Sequence, residues 1–133
     1  LTTEAVVFFN RELAREFDYR VKQAGQLASK MRFAGAQWDA VLRDGAWLRH
    51  AAHANRQARA LAGGLRALGL TLIAPTEANG VFVELVPRVF AALEAKGWHF
   101  YKFVGEHGYR LMCSWDTREA DVRAFLADVR AAL

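Results

Sequence analysis

Apolar residues recur along this chain with two different periods, and the change from one to the other divides it. Up to Gly69 the steps are of three and four. Leu13 and Phe17 are one turn apart, Ala24, Leu27, Ala28, Met31, Gly35, Trp38 and Leu42 share one broad face, and Trp47, Leu48, Ala51, Ala58, Leu61, Ala62, Leu65 and Leu68 share another. The spacing predicts a helix from about Arg11 to Arg20 with Asn10 as N-cap, a second from Val21 to about Leu42, and a third from an Asp44 cap to a stop at Gly69. Gly63-Gly64 reads as a fraying signal near the end of the third helix. It is not a phosphate loop, because no strand precedes it and no new helix follows directly.

Beyond Gly69 the period falls to two. Leu70 to Ala74, Val81 to Val86 after the Asn79-Gly80 turn signal, Trp98 to Val104 and Tyr109 to Trp115 read as strands, with Gly105-Glu106-His107-Gly108 as a hairpin connection. Pro87 opens a helix stopped by Gly97. Asp116 or Thr117 caps a last helix with a stripe of Val122, Phe125, Leu126, Val129 and Leu133. At the other end, Ala5-Val6-Val7-Phe8-Phe9 is an unbroken apolar run. It fits either a strand buried on both faces, with parallel neighbours outside this chain, or an N-terminal strand that joins the later sheet. The fold expected is α+β: a small, mostly antiparallel sheet with helices packed on one face, preceded by a strand and long helices.

Within the strand Tyr109 to Trp115, alternation puts Tyr109, Leu111, Cys113 and Trp115 on a core face and Arg110, Met112 and Ser114 on the other. An arginine among apolar strand positions wants an anion once desolvated. A protein carboxylate such as Glu84, a simple edge position in water and a ligand anion all remain open for it.

Composition narrows the function classes. With 133 residues, 53% of them hydrophobic, 24% charged and only 2 prolines, the chain is the size of one ordinary globular domain. The 18 Lys and Arg are interspersed with 14 Asp and Glu, so the net charge of +4 reads as a solvated surface, and no nucleic-acid partner is expected. No apolar run approaches the ~20 residues of a membrane span. One cysteine in an apolar strand suggests a buried thiol in a reducing compartment, hence a cytoplasmic location. His50 and His53, three apart, lack further ligands, and no metal is expected. The small residues Ala24, Gly25, Ala28 and Ser29 would let another backbone come close, on a packing face against a second subunit.

Four stretches carry a resemblance: Glu4 to Phe9, Gln23 to Phe33, Glu77-Ala-Asn79, and Arg110-Leu-Met-Cys-Ser-Trp-Asp-Thr117. Together, in this order and over essentially the whole chain, they resemble the carboxyl-terminal portion of a low-specificity L-threonine aldolase, one of the aspartate-aminotransferase-like (fold-type I) pyridoxal-phosphate enzymes. The resemblance implies a lyase that splits a β-hydroxy-α-amino acid into glycine and an aldehyde. It implies residues 1–43 as a strand and interface helices of the cofactor-binding domain, and residues 44–133 as the small α+β domain. The family's cofactor-anchoring lysine, ring-stacking histidine and pyridine-pairing aspartate would lie upstream of the matched stretch, so no catalytic residue is assigned here and the isolated chain is expected to be inactive. Arg110 matches the arginine that holds the substrate α-carboxylate. Lys22, Lys30 and Arg32 fall in a segment near the cofactor phosphate of a neighbouring subunit. The implied partners are the cofactor-binding domain, further copies of the chain in a homo-oligomer, and an amino acid substrate. The rival expectation is a self-contained α+β module that dimerises through the Ala24 to Ser29 face and has no chemistry.

Overall fold

The computed structural model describes residues 3–133, which form two compact units, one ending at Trp47 and the other Leu48–Leu133. The first unit is built from short pieces. Asn10 caps a single 3-10 turn, Arg11–Ala14, by accepting the Glu12 N–H at 3.0 Å. Glu16, at φ 62°, then interrupts the chain before helix α1, Phe17–Gln23. Helix α1 ends in a Schellman closure: the Gln26 N–H reaches the Val21 carbonyl at 3.0 Å and the Gly25 N–H the Lys22 carbonyl at 3.1 Å, with Gly25 at φ +67°. Helix α2 begins only at Arg32–Leu42. The expected helices over Arg11 to Arg20 and Val21 to Leu42 are therefore each broken. The breaks fall at Glu16 and at the Gly25 stop, where left-handed backbone ends a helix whatever the apolar period continues to suggest.

Ala5 to Phe9 forms no strand, because no described residue offers its backbone a ladder. Inside the unit, Phe8 packs edge-on against Phe17 at 4.8 Å, and the Trp38 indole donates to the Thr3 hydroxyl at 3.2 Å.

The second unit opens within helix α3, Ala46–Ala67, which Gly69 (φ +82°) ends as expected. Its elements are β1, Gly80–Glu84; α4, Pro87–Ala95; β2, Tyr101–Val104; β3, Gly108–Met112; and α5, Glu119–Ala132. The sheet runs in the order β1, β3, β2, all antiparallel, so β3 is central. This is the α+β fold with a small antiparallel sheet that the pattern predicted.

Burial alternates along β1 and β3: Val81, Val83, Tyr109, Leu111 and Cys113 are buried against Leu61 and Leu65 of α3, Val89 and Leu93 of α4, and Phe125 and Val129 of α5. The helices cover one face and leave the other open, as expected.

Four local expectations change. Gly64 lies inside α3 and does not fray it. A Cβ there would overlap the methyls of Leu126, so the glycine is a contact surface for α5. Leu70 to Ala74 contributes only a bridge of Leu72 to Val83. Asn79-Gly80 is not a hairpin turn: the Asn79 side chain donates to the Cys113 carbonyl at 2.8 Å and the Asn79 backbone carbonyl accepts the Cys113 N–H at 2.9 Å, extending the pairing of β1 with β3. Helix α5 is capped by Arg118 with Asp121, and not by Asp116 or Thr117. Thr117 is engaged earlier, where its hydroxyl accepts the Ser114 N–H at 2.8 Å and closes a turn that carries Trp115 out to solvent.

Candidate functional site

Arg110 sits in the middle of the central strand on the open face, where both neighbouring strands can reach it. Phe82 of β1 and Tyr101 of β2 are its register partners. Continuing the Val104–Gly108 pairing without interruption would put Lys102 opposite Arg110. A bulge between Lys102 and Val104 shifts the pairing and puts Tyr101 there instead.

The guanidinium lies over two rings, its Cζ 4.9 Å from the centre of Tyr101 and 5.3 Å from that of Phe103. Phe103 in turn packs on Phe82 at 5.1 Å. An Arg110 Nη2 N–H donates to the Tyr101 hydroxyl. No Asp or Glu among the described residues lies within ion-pair distance of Arg110, Glu84 included. Its Nε is buried without an acceptor. Of the three possibilities open in the sequence, the protein carboxylate is not realised, and a buried unpaired N–H is not what an edge position in water looks like. What the arrangement can do chemically is bind an anion: a planar fork of donors, held on aromatic faces, with its charge uncompensated.

Lys22 lies in the last turn of α1, Lys30 in the connection to α2 with φ +63°, and Arg32 at the start of α2 with its Cζ 5.1 Å over the Phe33 ring. All three are exposed, and none has a carboxylate within ion-pair distance among the described residues. They belong to the first unit and Arg110 to the second.

Tyr101 and Phe103 were missed by reasoning from sequence. Their strand was legible, but a bulge decides that Tyr101 and not Lys102 pairs with Arg110, and no residue in Tyr101-Lys-Phe-Val104 marks it.

Cys113 is buried on the opposite face of the same strand, and burial pushes its thiol above the ordinary range. A cavity of about 140 Å³ lies beside it, lined mainly by Leu61, Trp98, Phe100, Val122 and Phe125. Arg110 is not part of it, and its polar lining is limited to His99, Thr117 and Asp121. His53 spends its Nε2 on the Thr117 carbonyl at 2.7 Å, and His50 packs on Trp115 at 5.6 Å, so both have structural partners. No described helix is long and apolar enough to cross a membrane.

No protein-family model matches the chain. Two curated proteins do. The low specificity L-threonine aldolase of Pseudomonas sp. (strain NCIMB 10558) is 57% identical over 131 residues, 98% of this chain, and that of Pseudomonas aeruginosa is 56% identical over the same length. The chain spans 38% of the length of each. Among solved structures, threonine aldolase from Leishmania major matches with a TM-score of 0.79 and 27% identity, over 86% of this chain and 34% of that one. These matches bear out the resemblance drawn from the four sequence stretches.

Proposed function

We propose that this chain is the carboxyl-terminal portion of a pyridoxal-phosphate-dependent L-threonine aldolase, in which it supplies the substrate-carboxylate site. The observation that carries the reading is Arg110: a central-strand guanidinium with aromatic walls, no carboxylate partner among the described residues and a buried Nε without a partner. The likeness to threonine aldolases over 98% of the chain gives that unmatched cation a natural anion, the α-carboxylate of threonine or of product glycine.

The residues present fit the substrate end of such a site better than the cofactor end. Arg110 holds both carboxylate oxygens and so fixes the amino acid about its Cα, which is what aligning one bond for cleavage requires. Pyridoxal phosphate, when bound, takes up the electron pair left by that cleavage. Lys22, Lys30 and Arg32, exposed and without carboxylate partners among the described residues, suit its phosphate across a subunit boundary. The chain alone is expected to be inactive, since nothing described here anchors the cofactor ring. Residues 1–43 would then belong with the cofactor-binding part and its interface, and residues 44–133 would form the small domain. The cytoplasm fits the buried thiol.

Arg110→Lys in the complete protein tests the carboxylate role. It keeps the charge but loses the fork, which should cost about 1.5–3 kcal/mol, roughly ten- to a hundredfold in kcat/KM for threonine. Ala should be worse than Lys. A lowered Tm with near-normal kinetics would instead make Arg110 structural.

A homo-oligomer is the second expectation. Val7, Phe9, Leu27 and Phe33, each at least 60% exposed, are apolar surface of the kind that subunits cover. Sedimentation of the chain at micromolar concentration should give a dimer or larger. A clean 14.9 kDa species would count against it.

A further inference from the structure

Arg110 is held by something other than a counter-charge, and that is unusual for a guanidinium whose Nε is buried. Of its five N–H groups, one goes to the Tyr101 hydroxyl, and Nε has no protein acceptor. A free arginine loses rotamer freedom when an anion fixes it, so a site that has already fixed it binds better. A carboxylate could fix it only by neutralising it. An aromatic ring directly across the ladder fixes it and leaves its charge for the ligand. Phe103 supplies a second ring, but only Tyr101 combines the ring, the opposite register position and a hydroxyl acceptor.

We infer that Tyr101 is the positioning residue of the carboxylate site: by lying under the guanidinium and accepting from Nη2, it presets the Arg110 fork for the α-carboxylate. The inference rests on the proposed role of Arg110, and the bulge in β2 is what delivers Tyr101 to this place.

The test is a double-mutant cycle in the complete cofactor-loaded protein, using Arg110→Lys, Tyr101→Phe and their combination. KM and kcat for threonine, Kd for glycine by calorimetry, and Tm are measured for each. Tyr101→Phe keeps the ring and removes the acceptor, so it should raise glycine Kd and threonine KM roughly three- to tenfold, with kcat within about twofold. In the Arg110→Lys background the same change should add less than about twofold, because the planar fork is gone. A readout independent of cofactor is available in the chain alone. The Arg110 Nε–H should exchange slowly with water, and at least about fivefold faster in Tyr101→Leu, which removes both ring and hydroxyl.

Unchanged glycine Kd and threonine KM in Tyr101→Phe, with both raised in Arg110→Lys, overturn the positioning role alone. Equal effects of Tyr101→Phe in both backgrounds, or unchanged Nε–H exchange in Tyr101→Leu, also overturn it. If Arg110→Lys itself leaves Kd and KM unchanged, the carboxylate reading falls and takes this inference with it.

Discussion

The residues up to Trp47 and those from Leu48 onward carry similar helical apolar patterns but bury them differently. None of the helices or turns before Ala46 has a fully buried side chain, and Phe9, Val7, Leu27 and Phe33 stand 98%, 70%, 60% and 60% exposed. In the later unit Leu65, Val81, Val83, Val89 and Leu93 have no exposure at all. An amphipathic period states which side of a helix must be covered and leaves open what covers it. Helix α1 has 7 residues and α2 has 11, below the ~12–15 at which isolated helices become even marginally stable. Their stability must come from packing, whereas α3 finds its packing within its own unit.

The sharpest way to break this comparison is to truncate one leucine in each unit. Leu65→Ala should cost about 2–5 kcal/mol in urea unfolding of the chain. Leu27→Ala, at a position exposed within the chain, should stay within about 0.5 kcal/mol at dilutions where the chain is monomeric. A cost at Leu27 similar to that at Leu65 would mean the first unit has a core of its own.

A smaller effect of opposite sign separates two adjacent glycines of α3. Nothing lies within 4 Å of a Cβ at Gly63, so Gly63→Ala should stabilise by about 0.5–1 kcal/mol through helix propensity. At Gly64 the new methyl meets Leu126, and overpacking should outweigh propensity, giving a net loss of about 1 kcal/mol. Thermal unfolding of the pair reads both. Stabilisation by both alanines would remove the close approach of α3 to α5.

The smallest effect is electrostatic. Lys96 and, at 2.8 Å, the Trp98 indole both donate to the Asp128 carboxylate, and the hydrogen bond from Lys96, followed by that from Trp98, holds its pKa below the usual range. Because the folded value lies below the unfolded one, this stabilisation is complete above about pH 4 and is lost as pH falls through the folded value. Asp128→Asn should therefore lower stability at neutral pH and flatten its fall in acid. Lys96 is half exposed, so salt should weaken the effect. An unchanged acid profile in the Asn variant would show that the pair contributes nothing.

Much of the second unit was legible because its signals are local. Pro87 starts α4, Gly69 and Gly97 stop helices, and alternation puts Tyr109, Leu111 and Cys113 inward and Arg110 outward. The first unit was harder, since an apolar period running through Gly25 outweighed the glycine as a stop signal. Trp115 was expected on the core face but is 65% exposed, because β3 ends at Met112 and the Ser114–Thr117 turn takes the chain out of the alternation.

Alternation and helix stops are properties of neighbouring residues, so the α+β class, the central place of the Arg110 strand and the face on which Arg110 emerges could be read from the chain alone. Which groups meet that arginine depends on the assembled sheet. Strand order brings β1 and β2 to either side of it, a bulge exchanges Lys102 for Tyr101 across the ladder, and no carboxylate among the described residues arrives. Those outcomes depend on register between strands far apart in the chain, and a one-residue slip in register rewrites every cross-strand pair while leaving each strand's own pattern unchanged.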